Sequence, residues 1–354
     1  MKSGIKAVST VVFVLGMMTG CEPGNESEDV CLMAAEHLEV CTGLSHESFQ
    51  SGCNETDAEL MLATPCEVMQ AASSMPTPMK ADGGSWNGES YSCYWFGIGC
   101  PVDDSCAPEL SQESVDRLIE LSDPSTLQNE YDARYRVAAI ADIFEEERDP
   151  IGMFSIVYRH ITNNAVWSVE EGMYEHPMWT RHLITAFAWR YLLNLHGHLT
   201  GGYVSPQWTK YYKLARNCNV GKGRTLGVAI ATHLLVDLAY ALDDVDSRDM
   251  HRDDYMLFGE VSLWVFPDLV TDINRVYETD VSGLLRGFFL GDWVDALTSE
   301  GTATNFIYQT VRVNAWRNGR NLSKFPRWMV DADITTGWGM AEVALASLDA
   351  AGAL

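Results

Sequence analysis

The segment GVAIATHLLVDLAYALDD, residues 227–244, constrains this chain more than any other. Its spacing predicts a helix that is apolar nearly all round, and such a helix has to be enclosed by other elements rather than laid on a surface. At 3.6 residues per turn, positions four apart lie about 40° apart around the axis and positions seven apart about 20°. His233, Asp237, Tyr240 and Asp244 therefore fall on one narrow polar stripe, flanked by Leu234, Leu235, Val236, Leu238 and Leu242. Three readings of the stripe stay open. It is a metal or acid–base site facing the inside of a bundle, a buried pair in which Asp237 fixes the tautomer of His233, or an outward face with a modest i,i+4 pair.

Helical periodicity continues on both sides of that segment. SQESVDRLIELS begins at Ser111, a suitable N-cap, and YDARYRVAAIADIFEEERD follows. Further helices are read in MFSIVYRHITNNAVW, in HPMWTRHLITAFAWRYLLNLHGHLTGG with a stop at Gly201-Gly202, and in PQWTKYYKLARN. The runs DDYMLFGEVSLWVFPDLVTDINRVYE, VSGLLRGFFLGDWVDALT and TNFIYQTVRVNAWRNGRNL complete the pattern. No alternating strands bounded by turn residues stand among them. Residues 108–354 are expected to form an all-α body, a bundle of about seven to nine helices.

The N-terminal part has a different character. MKSGIKAVSTVVFVLGMMTGC carries Lys2 and Lys6, an apolar run from Ala7 to Met18, and small residues before Cys21, the layout of a secretory signal over residues 1–20. Met18-Thr19-Gly20-Cys21 resembles the bacterial lipobox, which implies a lipid on Cys21, although Met18 stands where leucine is usual. Glu22 follows the cysteine, so the aspartate that retains some lipoproteins at the inner membrane is missing. A bacterial envelope location is expected, as an outer-membrane lipoprotein facing the periplasm or the surface, with the membrane as a partner through the anchor.

Cysteine use agrees with export. The chain has nine cysteines, and setting Cys21 aside leaves Cys31, Cys41, Cys53, Cys66, Cys93, Cys100, Cys106 and Cys218. An even number in an oxidising compartment reads as a disulfide framework, and no C-x2-C pair favours a zinc cluster instead. Seven of the eight precede residue 107. If all eight pair, one of those seven has to bridge to Cys218, which clamps a small disulfide-rich region, residues 21–107, to the helical body.

The formal net charge is −25, and removing Lys2 and Lys6 with the signal makes it −27. So acidic a surface repels nucleic acid and, taken as a whole, anionic headgroups. Arginines nevertheless gather locally at Arg312, Arg317, Arg320 and Arg327.

Several side chains could converge on the polar stripe. The third helix of the body brings His160 with Asn164 one turn on; the fourth brings His182, Trp189 and His196; MHRDDY adds His251 and Asp254. With His233 and Asp237, these histidines and carboxylates are what zinc or another divalent ion takes as ligands, and an open position would activate water. The competing reading is that each histidine is a satisfied core residue. No G-x-S-x-G occurs, the glycines of NVGKGRTLG lack the Walker order, and Glu145-Glu146-Glu147 reads as a solvated face.

The body also resembles an uncharacterised bacterial family. Its members carry a Tyr-x3-Thr helix, an Ala/Phe-Ala-x-x-Tyr helix, and an Asn-Ala-His-Ile-Asn-x-Asp-Leu-Pro helix followed by Asp-Tyr. Over about residues 130–325 the matching positions here are Tyr158, Thr162, Phe187, Tyr191, His233, Asp237, Leu238, Asp254, Tyr255, Ala315 and Trp316. The chain departs where the family has asparagines, at Ala231 and Leu235, and where it has proline, at Ala239. The family has no assigned reaction, so the resemblance implies a fold and no chemistry. A more distant analogy is to zinc-dependent phospholipases C, all-α exported enzymes with two His-x3-Asp pairs, where this chain has one. Two functions follow from different classes: a non-catalytic envelope protein with a binding or scaffold role, or a metal-dependent hydrolase of phosphoester type.

Overall fold

The computed structural model describes residues 26–43, 108–279 and 306–350, together with Ala58, Leu62, Cys66, Val281, Ser282 and Leu284. The signal segment, Cys21, Cys53, Cys93, Cys100 and Cys106 lie outside the described residues. Among those described the fold is all-α, with no strand.

One N-terminal helix, α1 (Glu26–Thr42), precedes the body. It buries Cys31 and Cys41 on its inner face, and Cys41 is bridged to Cys66. Cys31 and Cys218 are also disulfide-bonded.

The body opens with α2 (Gln112–Ser122), α3 (Glu130–Glu147), α4 (Gly152–Glu170) and α5 (Pro177–Thr200). Local chemistry sets their ends. Ser111 accepts the Ser114 N–H at 3.2 Å as the sequence predicts, and Asn129 caps α3 by accepting from Tyr131 and Asp132. Gly201 ends α5 in the left-handed conformation at φ 70°, and Gly202 N–H closes back on Gly197 O at 2.8 Å.

Then come α6 (Pro206–Ala215), α7 (Lys222–Ala231), a π-helical turn (Thr232–Asp237) and α8 (Leu238–Asp244). The last three form one unbroken rod, Lys222–Asp244, long and apolar enough to cross a bilayer, but 89% of its most apolar window is buried inside the protein. It is the axis of the core, as its composition demands.

The run 253–278 splits into α9 (Arg252–Ser262) and α10 (Phe266–Tyr277), because Pro267 fits the first turn of a new helix and cannot continue an old one. Finally α11 (Phe306–Leu322) and α12 (Arg327–Ala350) cover the rod. The split and the closing helix α12 add to the elements read from the sequence.

Close approach of α11 to the rod depends on Gly319. A Cβ there would stand 2.6 Å from Ala239 O and 2.7 Å from Leu242 Cβ. Helix α12 is pinned by a buried ionic cluster: Glu342 accepts from Arg224 of α7 at 2.7 Å and lies 3.5 Å from Lys210 of α6. All three side chains are almost wholly buried. Mutual attraction of this kind does little more than offset desolvation, so its use is in fixing which faces meet.

Candidate functional site

The stripe expected along residues 233–244 does not survive as one face. His233 and Asp237 are buried, Tyr240 is half-buried and donates to Asp331 at 2.8 Å, and Asp244 is exposed, where it meets Arg190. A π-helical turn lies within the stripe. Between Thr232 and Asp237 the backbone bonds skip to i+5, with Leu238 N–H donating to His233 O, so the α-helical angular spacing no longer applies. Thr232 holds the start of the turn by donating to Val228 O at 2.8 Å while accepting the Trp338 indole N–H at 2.9 Å.

His233 is caged by aromatic rings from α4, α5 and α6. Its imidazole stacks on Phe187 with centroids 3.6 Å apart and planes 10° apart. Tyr158 presents an edge at 4.5 Å and Phe154 at 5.1 Å, with Trp208 and Tyr191 at 6.2 and 6.5 Å. His233 Nδ1 lies 2.9 Å from Asp237 Oδ2, and Trp208 donates its indole N–H to the same oxygen, also at 2.9 Å. Burial lowers the His233 pKa from its ordinary value against the opposing pull of Asp237. The ring is therefore neutral near pH 7, with its one proton on Nδ1 facing the carboxylate. Nε2 is then a lone-pair acceptor, and it is buried without a hydrogen-bond partner.

Beside the ring lies a cavity of about 30 Å³, walled by Phe154, Tyr158, Ile161, Phe187, His233 and Arg312 among others. That space takes a water or two rather than an organic substrate. Arg312 is buried and already engaged: it donates to Tyr255 O and its guanidinium lies 4.3 Å from the Tyr255 ring centroid. Burial raises the hydroxyl pKa of both Tyr158 and Tyr191, and Tyr191 shares a hydrogen bond of 2.7 Å with Ser155. Both phenols stay neutral. A neutral histidine oriented by a carboxylate can act as a general base. Here Nε2 meets no protein hydroxyl within hydrogen-bond distance.

The other candidate ligands stand elsewhere. His160 Nε2 pairs with Asp272 Oδ2 at 2.8 Å, where partial burial raises the Asp272 pKa but Arg275, His160 and Arg159 together bring it below the ordinary value. His182 is exposed, on a surface groove with Arg181 and Trp189. His251 accepts the Arg248 N–H at 3.1 Å and stacks on Trp179 at 4.8 Å. Asp254 accepts the backbone N–H groups of Glu175 and His176 at 2.9 and 2.7 Å and faces His176 Nδ1 at 3.0 Å. His251 and Asp254 thus share one neighbourhood, centred on His176, while His160, His182 and the His233–Asp237 pair lie apart from it and from each other. Among the described residues, three ligand atoms from histidine, cysteine or carboxylate come close enough to share an ion only at His37, Cys41 and Cys66. There the two sulfurs are bonded to each other.

Sequence reasoning missed Trp208, Asp272 and His176, the partners that decide what these groups do. His176 had a local signal, since His176-Pro177 marks the start of α5. Trp208 and Asp272 had none, because their partners are 29 and 112 residues away.

Of the positions that carry the family resemblance, Tyr158, Phe187, Tyr191, His233 and Asp237 meet in the aromatic cage. Elsewhere the Tyr255 and Trp316 rings lie 4.9 Å apart, and Asp254 holds His176. No curated protein and no solved structure matches the chain. The description "Family of unknown function (DUF5995)" matches residues 132–344, more than half of the chain and nearly all of the helical body, and the protein belongs to that family.

Proposed function

We propose that the protein is a non-catalytic component of the bacterial envelope with a binding or scaffold role, in which His233 and Asp237 form the polar centre of the core. One observation carries this reading. His233 and Asp237 are committed to each other and to Trp208, while His160, His251 and Asp254 sit with partners of their own and His182 is exposed. The positions where the resemblance expects asparagine, Ala231 and Leu235, are buried and apolar here, which removes polar groups from around the pair. Export and a lipid on Cys21 belong to the same proposal and rest on the residues of the N-terminal segment.

A metal-dependent hydrolase of phosphoester type is the second reading, and the unpartnered Nε2 of His233 favours it. A catalytic zinc takes about three protein ligands, and a single imidazole nitrogen in an apolar cage supplies one.

Metal content by mass spectrometry separates the two, on protein made in an oxidising compartment and on His233→Ala and Asp237→Ala. The proposal expects no stoichiometric metal in the parent after incubation with zinc and manganese, and variants that are folded but less stable. Near-stoichiometric metal in the parent, lost in both folded variants, would establish the hydrolase reading instead. Mass spectrometry of the N-terminal peptide of membrane-purified protein tests the anchor: a lipid-sized mass on Cys21, absent from Cys21→Ser, is expected.

A further inference from the structure

The corner between α11 and α12 departs from the rest of the surface in two ways. Residues 323–329, SKFPRWM, are seven consecutive exposed positions, bounded by the buried Leu322 and Val330. Three of the seven are large and apolar: Phe325 is 53% exposed, Trp328 72% and Met329 46%. The tip is not a frayed end. Lys324 and Phe325 both donate backbone N–H groups to Asn321 O, at 2.9 and 3.0 Å, and Met329 N–H closes on Pro326 O at 2.9 Å.

Charge is the second departure. The chain has 49 Asp and Glu against 24 Lys and Arg, yet residues 301–330 contain no carboxylate and five cations: Arg312, Arg317, Arg320, Lys324 and Arg327. Arg312 is buried, and Arg317 and Arg320 lean towards Asp333 and Asp249. That leaves Lys324 and Arg327 flanking the apolar tip, with Arg327 3.9 Å from Asp331 and still 64% exposed.

From this juxtaposition we propose that the α11–α12 corner is a membrane-contact tip, which inserts Phe325, Trp328 and Met329 into the interfacial layer of a bilayer containing anionic phospholipid. The physical grounds are threefold. Aromatic side chains with an apolar body settle at the headgroup–acyl boundary, and Trp is the residue most enriched there. A convex corner suits a deformable lipid layer, where a protein partner would need a matching hollow. Lys and Arg beside inserted aromatics gain about 1 kcal/mol each from an anionic surface. The acidic remainder of the protein opposes approach, but repulsion from carboxylates beyond about 8 Å is screened at physiological salt. The tip acts whether or not Cys21 is lipidated, and with a lipid it supplies the second signal that a single acyl chain needs for stable attachment. It is independent of the His233 site, so the metal measurement above and the one below fail or succeed separately.

The test is vesicle co-sedimentation of the mature chain, residues 21–354, carrying Cys21→Ser, which has neither the signal segment nor a lipid at that position. Vesicles of phosphatidylethanolamine with phosphatidylglycerol are compared with phosphatidylcholine alone. The parent is expected to sediment with the anionic vesicles. Phe325→Ser with Trp328→Ser should weaken partitioning roughly a hundredfold, and Lys324→Glu with Arg327→Glu roughly tenfold on anionic vesicles only. Trp328→Leu should keep binding while losing the part of tryptophan quenching by brominated lipid that Trp328 contributes. Circular dichroism matching the parent shows that the variants fold; all four positions are exposed. Absence of parent binding to anionic vesicles overturns the proposal, as does sedimentation of the Phe325/Trp328 variant equal to the parent's.

Discussion

The imidazole of His233 lies flat on the ring of Phe187, centroids 3.6 Å apart and planes inclined by 10°. A charged imidazolium in that position would lose its hydration and regain only one carboxylate. Burial therefore outweighs Asp237, and the ring stays neutral. In the unfolded chain the same ring titrates at its ordinary value of 6.5.

The sign of the pH dependence follows. Below pH 6.5 the unfolded state takes a proton that the folded state refuses, so stability falls as the pH is lowered and is fully present above it. The slope contributed by one group approaches about 1.4 kcal/mol per pH unit. Urea unfolding of the parent between pH 7.5 and 5 should show this loss, and His233→Gln, though less stable at pH 7.5, should show a shallower slope.

Asp237 accepts from two buried donors at once, Trp208 Nε1 and His233 Nδ1. Asp237→Ala leaves both without a partner and should destabilise by about 3–5 kcal/mol. Asp237→Asn keeps one carbonyl oxygen and should cost less. Denaturant midpoints of the two variants at pH 7.5 decide the ordering; equal losses would mean that the amide oxygen restores neither contact.

Gly259 of α9 lets the Arg312 guanidinium reach the Tyr255 carbonyl. A Cβ at Gly259 would stand 1.8 Å from Arg312 Nη1 and 2.0 Å from Cζ. The buried guanidinium has little room to move away, so Gly259→Ala should cost at least about 2 kcal/mol, a loss of overpacking type. Pairing it with Arg312→Met in a double-mutant cycle should recover part of that loss. Strictly additive costs would place the strain elsewhere.

Cys218 is disulfide-bonded, and no other cysteine of the chain follows residue 106. A peptide map of the oxidised protein without reductant should show the Cys218 peptide linked to one from before residue 107. A free thiol at Cys218 in protein purified from an oxidising compartment would contradict the clamp. Reducing the bridge should lower the unfolding temperature of the body, since long-range cross-links restrict the unfolded chain most.

The sequence by itself determined the helical class, the central place of the 222–244 rod and most helix ends. These follow from periodicity and capping, which act within a few residues: Ser111 and Gly201 mark their helix ends because the orphan backbone groups they satisfy are their own neighbours. The pairing of His233 with Asp237 was legible for the same reason. What only the tertiary structure decided is what that pair meets. Trp208 comes from another helix to share Asp237, Phe187 and Tyr158 close the cage, and His160 finds Asp272 rather than the stripe. The π-helical turn, held from α12 by Trp338, lies within the α-helical face on which the stripe was drawn. Contacts between residues far apart in the chain depend on how whole helices pack, and periodicity within a helix does not carry that information.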